Sequence, residues 1–70
     1  MFEKIKDIRT NKGMTQAELA EACGVSRLAI MNLENGKVKN ARSKTLFAIS
    51  KALGCTIDDL IDDLFFADSD

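Results

Sequence analysis

The three residues Gly24-Val25-Ser26 constrain this chain more than any other stretch. Upstream of them, Thr15 and Glu18 have the Thr-x-x-Glu spacing of a capping box, in which each side chain satisfies the other residue's free backbone N–H, so a helix begins just after Thr15. That helix ends at Cys23, because Gly24 takes the left-handed conformation that terminates a helix without a Cβ clash. Ser26 is a good N-cap, and a second helix runs from it to about Glu34, before the turn-forming Asn35-Gly36. Two short helices joined by so few residues, one of them Gly, cross steeply, with Val25 plugging the corner.

Three further helices follow from apolar spacing. Phe2, Ile5 and Ile8 form one stripe of a helix over about residues 2–11. Leu46, Ile49 and Leu53 form another that ends at Gly54, and Asn40 and Ser43 both suit its N-cap. A fifth helix is predicted after Thr56, carrying Ile57, Leu60, Ile61 and Leu64, with Asp58 and Asp59 at the positive end of its dipole. With 46% hydrophobic residues and no Pro, the 70-residue chain reads as one compact all-α domain over residues 1–66, followed by an acidic end, 67–70, expected to fray. A lone core of this size is marginal, so dimerisation would help.

The net charge of −1 argues at first against a polyanionic partner, but it averages two unlike parts. Residues 1–57 carry all ten bases against five acids, a balance of +5, and residues 58–70 carry six Asp and no base. Between Asn35 and Ile57 there is no acid, while Lys37, Lys39, Arg42, Lys44 and Lys51 fall there. Such asymmetry points to a charged partner. Cys23 and Cys55 form no CxxC, and with no His there is no credible zinc site, so no metal or cofactor is expected. Both thiols sit at apolar positions and are expected to be buried, reduced and structural, in a cytoplasmic protein without a secretory leader or a membrane span.

Five pieces in register carry a resemblance: Ile8-Arg9; Gly13-Met14-Thr15-Gln16-Ala17-Glu18-Leu19-Ala20; Gly24-Val25-Ser26; Ile30 with Leu33-Glu34-Asn35-Gly36-Lys37; and Lys51-Ala52-Leu53-Gly54. The chain resembles the Cro and phage-repressor (XRE-type) helix-turn-helix regulators over nearly its whole length. The resemblance implies a five-helix lambda-repressor-like DNA-binding domain whose helices 2 and 3 form the helix-turn-helix. It also implies sequence-specific binding to double-stranded DNA as a transcriptional regulator, with repression the expected sign. The loop before helix 4 departs from the family in being longer and in lacking the usual Pro.

In such domains the second helix of the motif lies in the major groove. Here that is helix 3, where Ile30 and Leu33 face inward and Leu28, Met31, Asn32 and Asn35 lie on the opposite side, flanked by Arg27. Arg27 can donate two parallel hydrogen bonds to a guanine edge and Asn32 can pair bidentately with adenine. Leu28 and Met31 would either touch thymine methyls or face a protein instead of DNA. Ser26, Asn35, Lys37, Lys39 and Arg42 lie where relatives follow the sugar-phosphate backbone, and the resemblance implies a phosphate contact for Gln16 at the start of helix 2. Arg9 and Glu34 match positions that pair across helices 1 and 3 in similar proteins, a clamp orienting the reader.

One reading helix covers few base pairs, so a two-fold homodimer is expected. Helix 5 is its candidate seam, because Ile57, Leu60, Ile61, Leu64, Phe65 and Phe66 exceed what one stripe can bury, although Phe65 and Phe66 could instead fold back over helix 1. The acidic end would stay solvated and repel DNA that strays close. An enzyme finds no support: there is no His, no nucleophile elbow and no phosphate-binding Gly loop. The stronger rival is an antitoxin or antirepressor using the same fold to bind a protein.

Overall fold

The computed structural model describes residues 2–38 and 41–61, and within them the chain forms five helices: α1 (Lys4–Asn11), α2 (Gln16–Cys23), α3 (Arg27–Glu34), α4 (Ser43–Leu53) and α5 (Ile57–Leu60). The capping box at α2 is complete. The Thr15 hydroxyl accepts from the Glu18 N–H at 3.0 Å and the Glu18 carboxylate accepts from the Thr15 N–H at 2.8 Å. Gly24 closes the helix at φ +73°, ψ +28°, the left-handed conformation that a side chain resists.

An alanine at Gly24 would meet no atom within 4 Å, so its cost is backbone strain alone. Gly24→Ala is therefore expected to destabilise the domain by about 1–2 kcal/mol. Each kcal/mol corresponds to a fall in Tm of roughly 4–8 °C for a domain of this size. A thermal melt followed by circular dichroism checks this, and an unchanged Tm would mean that the turn relaxes out of the left-handed region.

The core is built where these helices meet. Phe2, Ile5, Leu19, Ala20, Ile30, Leu33, Ile49, Leu53 and Leu60 are buried, one or two from each element, and Val25 packs against them from the corner between α2 and α3. The α2 helix packs on α3 and α4, and α1 and α5 close the remaining side. Phe2 belongs to the core but precedes α1, which starts two residues later than its apolar stripe suggests.

Two expectations are corrected at α4 and α5. Neither Asn40 nor Ser43 caps α4: Ser43 is its first residue, and Arg42 holds the N-cap position in extended conformation without a side-chain bond. The α5 helix is a single turn. It stops at Leu60, and Ile61, expected within it, is extended at φ −102°, ψ +114°. What starts this short helix is a second capping box, between Thr56 and Asp59, which also holds the Asp59 carboxyl below its usual range. Leu64, Phe65, Phe66 and residues 67–70 lie outside the described residues.

The two cysteines pack against the core but are half-buried, not enclosed as expected, and neither is in a disulfide. Burial pushes both thiols up, and Asp59 adds to the effect at Cys55, which leaves little reactive thiolate.

Candidate nucleic-acid interface

The α3 helix has two unlike faces because its sequence does. Ile30 is fully buried and Leu33 nearly so, which fixes the helix on the core, and the residues between and before them face away. Arg27 is exposed at the N-terminal end, Leu28 is 57% exposed, and Met31 and Asn32 are half-buried further along. The Ser26 hydroxyl accepts from the Ala29 N–H at 3.1 Å, so its lone pairs serve the α3 cap while its own proton remains a donor.

Beyond α3 the chain turns sharply. The Asn35 side-chain oxygen accepts from the Lys37 N–H at 3.2 Å, and the same N–H reaches the Asn32 carbonyl at 3.0 Å. Lys37 is thereby held exposed beside the end of α3. An open groove of about 360 Å³ runs between α3 and the start of α4, lined by Asn32, Leu33, Val38, Ala41, Arg42 and others. It brings Asn32 and Arg42, ten residues apart in the chain, to the edges of one concavity. Lys39 lies outside the described residues.

Behind this surface Arg9 and Glu34 form a buried ion pair. The Arg9 Nε donates to Glu34 Oε2 at 2.6 Å and Nη2 donates to Oε1 at 3.0 Å, while Nη1 donates to the Met14 carbonyl at 2.8 Å. The Glu34 hydrogen bonds hold the Arg9 guanidinium above its ordinary value, against the opposing effect of burial. One guanidinium thus ties the end of α1 to the end of α3 and to the loop before α2. Glu34, an acid close to a surface rich in cations, is neutralised at its own base.

Gln16 joins this cluster, which sequence reasoning missed. Its Nε2 donates to Glu34 Oε1 at 3.0 Å, which engages one of its two amide protons. The contact spans 18 positions, and no local period reports it. A helical wheel of α2 against α3 could have suggested it only once their crossing was fixed.

The expected seam divides. Leu60 is fully buried within the single chain and is not available to a partner, while Ile57 and Ile61 are half-buried at the surface. Among the described residues no group of His, Cys, Asp and Glu could hold a metal ion, and no helix is long and apolar enough to cross a membrane.

Comparison with known proteins gives a consistent result. A family model described as helix-turn-helix matches residues 5–60. The transcriptional activator BcrR of Enterococcus faecalis is 44% identical over 59 residues, covering 84% of this chain and 28% of BcrR, so the chain spans little more than a quarter of that relative. An uncharacterized HTH-type transcriptional regulator of Archaeoglobus fulgidus is 38% identical over 60 residues, covering 86% of this chain and 84% of its own length. Among solved structures, the biofilm master regulator SinR in complex with DNA superposes with a TM-score of 0.81 at 28% identity, over 87% of this chain and all of that one. SinR in complex with SinI gives 0.83 at 28% identity, over 96% and 66% of the two chains.

Proposed function

Because the chain belongs to the Cro and phage-repressor (XRE-type) helix-turn-helix family of transcriptional regulators, we infer that it binds double-stranded DNA sequence-specifically, with α3 in the major groove. The observation that carries this reading is the polarity of α3: an apolar face locked into the core and an exposed face led by Arg27, beside an acid-free run of cations. Arg27, Leu28, Met31 and Asn32 contact bases in this reading, the Leu and Met through thymine methyls. Gln16, Ser26, Asn35, Lys37, Lys39 and Arg42 contact the backbone and set the register.

The regulator works as a two-fold dimer, so that two copies of α3 meet half-sites one DNA turn apart. Its seam uses Ile57, Ile61, Leu64, Phe65 and Phe66. It acts in the cytoplasm, where the chromosome of a bacterium or archaeon lies, and represses by occupying duplex that polymerase needs. Catalysis and cofactors have no part in this reading.

The test is a binding titration against duplexes selected from a random pool. Arg27→Ala is expected to lose about 1–3 kcal/mol on the selected duplex and to relax preference at one base position. Lys37→Ala weakens all sequences alike and lowers the salt slope by about 1. A protein that ignores every duplex at low ionic strength would overturn the reading. The second reading, docking of a protein on α3, would then stand on the 57% exposure of Leu28.

A further inference from the structure

Glu34 is the last residue of α3 and is 5% exposed, and both of its oxygens are engaged by other helices. Its Oε2 accepts from Arg9 Nε, while Oε1 accepts from Arg9 Nη2 and from Gln16 Nε2, each at 3.0 Å. Gln16 is the first residue of α2 and is half-buried there. Its amide has a donating end and an accepting end, which rotation about the last side-chain bond would exchange. An ionised carboxylate only accepts, so Glu34 decides between them: the NH2 end faces it and the carbonyl end turns away.

What that choice controls lies at the start of α2. The N–H groups of Gln16 and Ala17 belong to the first turn, where a helix offers no acceptor of its own, and the positive end of the dipole adds to them. An anion brought there meets the Gln16 side chain as well. A carbonyl oxygen repels it and an N–H attracts it, so only one orientation of the amide favours binding. With one proton on Glu34, the other proton of the same NH2 group points about 120° away and can reach an acceptor about 5 Å from the carboxylate oxygen. Two anions so close would oppose each other, but the paired hydrogen bonds from Arg9 neutralise Glu34 first.

We propose that Glu34, held by Arg9, is a positioning residue for the DNA backbone contact of Gln16, presenting the NH2 end of that amide to a phosphate at the start of α2. The inference rests on the DNA reading above and adds what aims one of its backbone contacts. The ion pair that ties α1 to α3 thereby has a second consequence, because it sets the register of the protein on the strand through α2. Neither Arg9 nor Glu34 touches the nucleic acid in this arrangement.

The test scans the selected duplex with single methylphosphonate substitutions, each of which removes the charge of one phosphate. The position where neutralisation costs the parent most relative to Gln16→Ala marks the phosphate that Gln16 meets, with an expected difference of about three- to tenfold in Kd. The double variant Arg9→Met, Glu34→Leu, in which no buried charge is stranded, is expected to lose most of that difference at the same position and to keep the penalties at the other phosphates. Glu34→Gln, of the same shape, is expected to lose part of it, since its amide can offer Gln16 either end. Circular dichroism at the assay temperature establishes that each is folded, and either one alone decides the matter. A role limited to holding α3 in place would weaken binding evenly and leave the profile of the parent. That unchanged profile in a folded variant overturns the proposal, and so does a Gln16→Ala profile identical to the parent's, both leaving the DNA reading intact. A parent that binds no duplex overturns the two together.

Discussion

Arg9→Ala is expected to remove about half of the domain's folding stability. The substitution removes the guanidinium from a pair whose side chains are 8% and 3% exposed, leaving the Glu34 carboxylate, among the described residues, with only the Gln16 amide as a side-chain donor and the Met14 carbonyl without its guanidinium partner. Breaking a buried pair from one side costs about 3–5 kcal/mol, because the surviving charge is stranded. A domain of 70 residues has roughly 4–10 kcal/mol in total, so about half of it is lost. Urea denaturation of Arg9→Ala beside the parent reads the loss directly. The double variant Arg9→Met, Glu34→Leu is expected to recover most of it, since apolar replacement of both partners removes the stranded charge. A loss under about 1 kcal/mol for Arg9→Ala would mean that water reaches the pair and screens it as on an open surface.

The parts of this fold legible in the sequence are those specified within one helical turn. Thr15 with Glu18, Ser26 and Gly24 each act on backbone groups no more than a few residues away, and α2 and α3 accordingly have the predicted limits. The start of α4 was less legible because two residues competed for its cap, and Arg42 occupies the position with a side chain that makes no cap bond at all. The fifth helix misled for a different reason. Ile57, Leu60 and Ile61 have helical spacing, but spacing does not say how far the helix continues, and of the three Leu60 alone is fully buried, with Ile61 packed against the core from outside the helix. The Thr56 and Asp59 box was there to be found, with Asp in the place of the usual Glu.

The candidate interface divides along the same line. Which side of α3 faces outward follows from Ile30 and Leu33 alone, by counting 100° per residue. That Gln16 shares Glu34 with Arg9 depends on how three helices cross, and no single segment encodes it.

Ile30→Ala should separate folding from DNA reading most sharply. Ile30 is fully buried on the inner face of α3, so the substitution loses transfer energy and opens a cavity, at about 2–5 kcal/mol. Its outer neighbours Arg27 and Leu28 are untouched. In the absence of DNA the variant is expected to melt far below the parent. A selected duplex at about 100 times its Kd returns roughly 2.7 kcal/mol, because it binds the folded state alone. The apparent affinity therefore falls only by the unfolded fraction, and the base preference stays that of the parent. Arg27→Ala should do the reverse, melting like the parent while binding weakly and with blurred preference, since an exposed side chain contributes little to the core. If instead duplex fails to raise the Tm of Ile30→Ala while the parent is stabilised, the outer face of α3 depends on the packing beneath it more closely than a rigid helix allows, and the recognition surface is assembled only by an intact core.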